Sequence, residues 1–132
     1  MSGKFIPASA AEREKLEWGG VAWLSRPQTS GAKDLLVIEV SLAPGGGHAF
    51  HKHPNQEEVI YVISGSVEQW LEKERRTLGP GDSIFIPADT VHASFNKSKG
   101  DAKLIAILGP CVGPEGYELE DVSSEPVWKS LL

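Results

Sequence analysis

The stretch from Gly45 to Gly65, which reads GGGHAFHKHPNQEEVIYVISG, decides the fold. His51 and His53 are two residues apart, so on an extended strand both side chains point to the same face. Glu58 follows at the start of an apolar segment that is typical of a strand. Imidazole and carboxylate groups together suit divalent Mn, Fe, Co, Ni, Cu or Zn. The stretch therefore predicts β structure that carries a metal site.

A third histidine strengthens this interpretation. A His-x-His pair by itself is more often a feature of the surface or the core than a metal site. His92 lies on a separate predicted strand, directly after the segment Pro87–Val91. A carboxylate and a third imidazole in addition to the pair favour a metal site, with open positions left for water or a substrate.

Short apolar segments separated by turn residues continue through most of the chain. Glycine and proline clusters such as Pro44–Gly47 and Gly79–Asp82 separate them. Strands of about five residues with frequent turns predict an all-β antiparallel barrel or sandwich. The predicted strands are Val21–Ser25, Leu35–Leu42, Glu58–Ile63, Val67–Glu72, Ser83–Ile86, Val91–Asn96 and Lys103–Leu108.

Two other segments receive different predictions. Ser9 to Glu12 has the spacing of a capping box, which predicts a short N-terminal helix that ends before Gly19. The charged run Lys73–Arg76 is predicted to be a solvated hairpin turn. We divide the single domain into an N-terminal arm (1–20), a barrel (21–108) and a C-terminal strap (109–132).

Composition narrows the possible partners and location. The 132 residues correspond to one domain. Thirteen basic and 18 acidic side chains give a net charge of −5, which disfavours nucleic acid and anionic membranes as partners. The single Cys111 excludes a disulfide within the chain. The chain has no apolar run of about 20 residues and no apolar leader near its start, so we expect a cytoplasmic protein.

The histidine stretch follows a spaced pattern that extends to its last glycine. The pattern G-x5-H-x-H-x4-E-x6-G runs through Gly45, His51, His53, Glu58 and Gly65 with every spacing intact. Glu57 is the neighbouring alternative to Glu58, but both the x4 and the x6 spacing select Glu58.

A second pattern, G-x5-P-x-G-x2-H-x3-N, runs from Gly81 through Pro87 and His92 to Asn96. Asp89 stands where the pattern has glycine. Aspartate tolerates the left-handed backbone of a turn better than most residues, so we expect the turn to be kept. With both patterns present at these spacings, the chain resembles the cupin superfamily in its small single-domain form.

This resemblance implies a double-stranded β-helix, also called a jelly-roll barrel, with a metal in its mouth. By match to the motifs, the metal ligands would be His51, His53, Glu58 and His92. The resemblance implies one divalent transition metal per chain (Fe, Mn, Ni, Cu or Zn) and a homodimer. The apolar segments around Val37 and Tyr61 do not alternate, so we expect both faces of these strands to be covered, the second by another subunit.

Strand alternation predicts the residues that line the pocket. Ile60 and Val62 share a face with Glu58 and would form an apolar wall. Ser94 and Asn96 share a face with His92, so they either provide polar groups near the metal or make hydrogen bonds in an outer strand or turn. His48 lies in the glycine-rich loop at the predicted mouth.

His48 and Cys111 lie outside both motifs, and their roles stay open. His48 is either a solvated loop residue or a base or lid residue near the metal. Cys111 is interpreted as a structural thiol rather than a catalytic one, because no basic group lies beside it in the sequence.

The predicted function is metal-dependent chemistry on a small organic molecule. Few acid or base groups accompany the predicted ligands, since strand alternation turns Tyr61 outward and leaves only His48, and this favours dioxygenase-like chemistry. The alternatives are a redox-neutral isomerase or lyase acting on sugar acids, and a protein that binds a small ligand without turnover.

Overall fold

The computed structural model describes residues 3–132, and nearly half of them belong to two antiparallel sheets. The first sheet has the strand order β1-β2-β3-β10-β5-β8, formed by β1 (Glu12–Leu16), β2 (Gly19–Ser25), β3 (Leu36–Leu42), β5 (Glu57–Ser64), β8 (Ser83–Ile86) and β10 (Ala102–Gly109). The second has the order β11-β4-β9-β6-β7, formed by β4 (Gly47–Lys52), β6 (Val67–Leu71), β7 (Glu74–Leu78), β9 (His92–Phe95) and β11 (Glu120–Asp121). The fold is the predicted all-β double-stranded β-helix.

The main core lies on the inner face of the first sheet. In β5 the buried residues Glu58, Ile60 and Val62 alternate with Val59 and Tyr61, which are exposed. This two-residue alternation follows from the pleat of a strand with one covered face. The fully or nearly buried members of the main core are Leu36, Ile38, Leu42, Ile60, Val62, Val67, Ile86, Ala102, Leu104, Ala106 and Leu108.

A smaller apolar cluster lies around β4, β6 and β9. Phe50, Trp70, Ala93 and Val122 are buried there, and the Phe50 ring lies 5.5 Å from the ring of Trp128. Trp128 belongs to the short helix α2 (Pro126–Lys129), so the end of the chain packs on the second sheet.

The predicted N-terminal helix is wrong. The structure has only a 3-10 turn at Ala8–Ala10, and the residues after it form β1, which pairs with β2 through a tight turn before Gly19. An isolated helix of this length is marginal in water, whereas pairing with β2 satisfies the backbone groups of β1.

The predicted hairpin turn at Lys73–Arg76 is also wrong in its extent. Only Glu72 and Lys73 form the turn, with Glu72 at φ +52°, and Arg75 and Arg76 belong to β7. Since β7 is an edge strand, charged side chains protect it from pairing with other chains. The sequence prediction also missed β4 and β11.

Two turns that matter for the site have left-handed backbone. Gly65, which closes the first motif, has φ +81°, and a Cβ atom there would lie 2.5 Å from the carbonyl oxygen of Asp101. Asp89 has φ +62°, which confirms that aspartate keeps the turn where the motif has glycine.

Helical structure is sparse in the described part of the chain. The other α-helix, α1, covers Pro27–Ser30, and like α2 it has four residues. Within residues 3–132, no helix combines the length and the apolar character needed to cross a membrane.

Candidate metal centre

Three histidines from two neighbouring strands of the second sheet converge at one point. His51 lies on β4 directly opposite His92 on β9, and His53 follows the end of β4. The candidate ligand nitrogens of the three rings lie within 4.8 Å of one another, and all three residues are buried. This spacing is close enough for a single ion to contact all three.

Main-chain carbonyl groups hold the orientation of each ring. Nδ1 of His51 lies 2.7 Å from the Ala49 carbonyl oxygen, and Nδ1 of His92 lies 2.9 Å from that of Thr90. Nδ1 of His53 lies 2.7 Å from the Glu118 carbonyl oxygen. A carbonyl oxygen only accepts, so each Nδ1 carries a proton and Nε2 is the ring atom left to bind a metal. Metal-binding histidines commonly show this arrangement.

Glu58 completes the cluster from β5. Its Oε1 lies 2.9 Å from Nε2 of His92 and 3.2 Å from Nε2 of His53. Despite this proximity, Glu58 Oε1 and His92 Nε2 have no partner with hydrogen-bond geometry within residues 3–132. Buried polar atoms without partners are costly and rare. A divalent cation would satisfy both atoms, so the donor set fits a transition metal.

The protonation states agree with such a centre. Burial opposes ionisation of Glu58, but the adjacent His53 and His92 outweigh it and hold the pKa of the carboxyl group well below its usual range. Burial, reinforced by His48 and the other histidines, lowers the pKa of His51 well below its usual value. At neutral pH Glu58 is therefore an anion and His51 is neutral, and metals bind these forms.

A β-bulge brings a fourth histidine to the cluster. His48 and His51 are three residues apart and would face opposite sides of a regular strand, but the pairing of β4 with β9 shifts register between them. The His48 ring stacks 3.7 Å from that of His51 and 5.6 Å from that of Trp18. Burial lowers the pKa of His48 to about 4, and Glu58 offsets only part of this effect.

Three members of the cluster, His51, Glu58 and His92, line a cavity of about 300 Å³. Apolar side chains form most of its walls, namely Leu16, Trp18, Val21, Trp23, Ile38, Val40, Leu42, Ile60, Leu104, Ala106 and Leu119. The polar lining groups are Glu14, His48, His51, Glu58, His92, Ser94 and Tyr117. No lysine or arginine of the described residues lines the cavity.

The residues predicted to line the pocket divide into two groups. Ile60, Ser94 and His48 line the cavity, whereas Val62 and Asn96 are buried but do not border it. His48 lies on β4 rather than in a loop.

Ser94 and Asn96 make different hydrogen bonds. Ser94 donates a hydrogen bond to Oε1 of Gln69 at 2.6 Å. Asn96 stabilises a turn: its amide donates to the Leu42 and Gly100 carbonyl oxygens, and its oxygen accepts from Ser98. Glu57, the neighbouring alternative to Glu58, is exposed.

The sequence analysis missed the part of the site that the C-terminal strap supplies. Tyr117 lines the cavity, and burial, together with the charge of Glu58, raises the pKa of its phenol. The buried Gln56 holds this segment, since its amide donates to the Pro110 and Gly116 carbonyl oxygens and its oxygen accepts from the Glu118 N–H. No local pattern connects these residues, because 54 to 62 positions separate Gln56 from its partners.

Cys111 lies away from the ligand cluster, against the main core. Burial and the Asp34 carboxylate raise the pKa of its thiol, so the protonated form is favoured. A reactive cysteine requires the opposite shift.

Two antiparallel sheets that enclose a histidine-lined cavity define this protein as a cupin. The profile described as "Cupin domain" matches residues 38–108, which include all four candidate ligands, and the chain belongs to this family. The assignment confirms the resemblance predicted from the two motifs.

The names of the proteins similar to this chain indicate different functions. The chain is 27% identical over 110 residues to the polyketide synthase CurC of Streptomyces cyaneus, covering 83% of this chain and 71% of CurC. It is 32% identical over 76 residues to the quercetin 2,3-dioxygenase of Bacillus subtilis, covering 57% of this chain and 22% of that enzyme. Among solved structures, KdgF from Halomonas sp. aligns with a TM-score of 0.72 at 25% identity, covering 83% of this chain and 94% of KdgF.

Proposed function

We propose that this cupin is a metal-dependent enzyme that acts on a planar small molecule with adjacent hydroxyl and carbonyl oxygens. The observation that carries the proposal is the convergence of three imidazoles beside a cavity whose walls are mostly apolar. A divalent ion held there would polarise a ligand oxygen bound to it and would lower the pKa of bound water. The donor set admits Fe, Mn, Ni, Cu or Zn, with one ion per chain.

The walls of the cavity support the choice of ligand. Trp18, Trp23 and Tyr117 offer flat aromatic surfaces, and the remaining walls are largely aliphatic. Burial of aromatic and aliphatic surface favours an apolar, ring-containing ligand. A sugar acid would need a cationic side chain as well as the metal, and the described cavity lining provides none. The names of the two relatives, a polyketide synthase and a quercetin dioxygenase, support a ligand of this kind.

The type of reaction depends on the proton donors and acceptors in the cavity. The sequence favoured dioxygenase-like chemistry because few acid or base groups accompanied the ligands. Since His48 and Tyr117 both line the cavity, that reason no longer applies. We therefore propose redox-neutral chemistry that uses protic side chains. Dioxygenation is the second candidate, favoured by the likeness to quercetin 2,3-dioxygenase.

An assay with and without oxygen tests the proposal. Metal-loaded protein is incubated with a panel of planar hydroxy-carbonyl compounds, and product masses and oxygen uptake are recorded. We expect conversion at equal rates in air and under nitrogen, and its loss in His92→Ala. Conversion that requires oxygen would replace the proposal with the dioxygenase. Metal-dependent binding without conversion would indicate a ligand-binding protein.

We propose Glu58 as the fourth metal ligand, and its neighbour provides a matched control. Glu58→Gln keeps the shape of the side chain but removes its charge, so the dissociation constant for Zn²⁺ should rise at least about tenfold. Glu57→Gln makes the same change on an exposed residue and should leave it unchanged. Competition titration against a chromophoric chelator measures both constants. Equal constants for the two variants would exclude Glu58 as a ligand.

The outer face of the first sheet supports the homodimer implied by the resemblance, and we propose a second copy of this chain as its cover. Six apolar side chains there are each at least 37% exposed: Leu35, Val59, Tyr61, Ile63, Phe85 and Ile107. Val59 pairs with Phe85 on one side and Ile107 on the other, so the patch is continuous. The same sheet carries the ion pair Lys103–Glu39, so a two-fold-related copy would bring opposite charges to the interface.

Light scattering at micromolar concentration checks this prediction. The parent protein should have the mass of two chains, and Phe85→Glu should have the mass of one, because an unpaired charge would be buried at the interface. Leu132→Glu alters another exposed apolar residue outside the patch and should stay dimeric. A monomeric parent protein would count against the dimer.

The cytoplasmic location stays a prediction from the sequence.

A further inference from the structure

We propose that Tyr117 binds the small-molecule ligand directly, by donating a hydrogen bond from its phenol hydroxyl to a ligand oxygen. The inference rests on the proposed function, since it names the side chain that would hold and select the hydroxy-carbonyl ligand. Tyr117 lies on the C-terminal strap, outside both cupin motifs. Neither the motifs nor the histidine cluster assigns it a role.

The position of Tyr117 places it beside the candidate metal centre. Its ring centroid lies 5.2 Å from that of His53 and 5.7 Å from that of Trp23. It lines the same cavity as Glu58 and His92. A ligand oxygen near the centre would therefore lie close to the phenol.

Hydrogen bonds on both sides of Tyr117 hold its backbone in place. The Gln56 amide donates to the Gly116 carbonyl oxygen at 2.8 Å, and its oxygen accepts from the Glu118 N–H at 2.9 Å. The Glu118 carbonyl oxygen in turn accepts from Nδ1 of His53 at 2.7 Å. The segment that presents the tyrosine is thus bonded to a candidate metal ligand, which fixes their relative positions. Such preorganisation lowers the entropy cost of binding.

The Tyr117 hydroxyl is free to bind a ligand. Burial and the charge of Glu58 account for the raised pKa of its phenol, and no hydrogen bond from residues 3–132 contributes to it. Ser94, another polar group of the cavity lining, donates its hydroxyl proton to Gln69. Tyr117 is half-buried and its hydroxyl is not among the enclosed polar atoms of residues 3–132, so a ligand oxygen in the cavity could reach it and complete its hydrogen bonding.

Tyr117→Phe tests the role, with Tyr61→Phe as the matched control. The variant keeps the ring that packs on His53 and Trp23 and removes only the hydroxyl. Tyr61 is exposed on the opposite face of the first sheet. Each protein is loaded with Zn²⁺, which supports no redox turnover, and titrated with the fluorescent probe 3-hydroxyflavone. Metal content and melting temperature are measured in parallel.

We expect Tyr117→Phe to bind 3-hydroxyflavone about tenfold more weakly, with unchanged zinc content and melting temperature. Tyr61→Phe should bind like the parent protein. Equal binding by the parent and Tyr117→Phe would overturn the role of the hydroxyl and leave the proposed function standing. If the zinc-loaded parent does not bind the probe, or binds it no better than the metal-free parent, the proposed ligand class and the role of Tyr117 both fail.

Discussion

Replacement of His92 by alanine should reduce the bound divalent metal from about one equivalent per chain to less than about a tenth after dialysis. His92 contributes one of three converging imidazoles, and its Nε2 lies 2.9 Å from Glu58. The substitution removes a candidate ligand and also one of the two imidazoles that lie against the buried Glu58 carboxylate. The imidazoles of His51 and His53 by themselves bind a divalent ion far more weakly than a closed three-histidine cluster.

The measurement is elemental analysis of protein purified without a chelator, for the parent, His92→Ala and His48→Ala. His48 stacks on His51 but does not belong to the ligand cluster, so its variant should keep the metal. Melting curves of the metal-free proteins show whether His92→Ala still folds. A folded His92→Ala protein with the metal content of the parent would contradict the site. Loss of metal in His48→Ala alone would move the site toward that residue.

Replacement of Gln56 by alanine should lower the free energy of unfolding by about 3 kcal/mol, a large effect for a single polar side chain. The buried amide of Gln56 makes hydrogen bonds to Pro110, Gly116 and Glu118. Its removal leaves the Pro110 carbonyl group and the Glu118 N–H without partners in a buried region, and each costs free energy. The Gly116 carbonyl oxygen loses one of its two hydrogen bonds and keeps the one from the Val112 N–H. The C-terminal strap carries Tyr117 and accepts a hydrogen bond from His53, and we expect it to detach first.

Urea unfolding of the metal-free proteins measures this loss. Gln28→Ala changes an exposed glutamine and should alter the free energy of unfolding by no more than about 0.5 kcal/mol. The Glu118 carbonyl oxygen accepts a hydrogen bond from the candidate ligand His53 and lies on the segment that Gln56 holds. Gln56→Ala should therefore also weaken Zn²⁺ binding. A loss no larger than that of Gln28→Ala would show that the strap is held by other contacts.

Much of the centre could be predicted from the sequence because it depends on short spacings. His51 and His53 share a face through the two-residue period of a strand, and the motif spacings single out Glu58 and His92. Turn chemistry marked the positions of most strands, and aspartate at position 89 was correctly expected to keep its left-handed turn. These features are local, so a linear pattern records them.

Other features depend on pairing between distant segments. The segment Glu12–Leu16 has good helix propensity, but pairing with β2 makes it a strand. Register decides which side chains share a face, and the bulge between His48 and His51 turns both toward the cavity, although their spacing alone predicts opposite faces.

The sequence by itself determined the fold class and the three converging histidines, and it predicted Glu58 as their carboxylate partner. The tertiary structure alone decided that Trp18, Trp23 and Tyr117 line the cavity beside this cluster. Gln56 brings Tyr117 into place through hydrogen bonds to residues 54 to 62 positions away. No sequence motif marks Gln56 or Tyr117. The Gln56 side chain bonds to main-chain groups, which every residue type offers, so its partners leave no signature in the sequence.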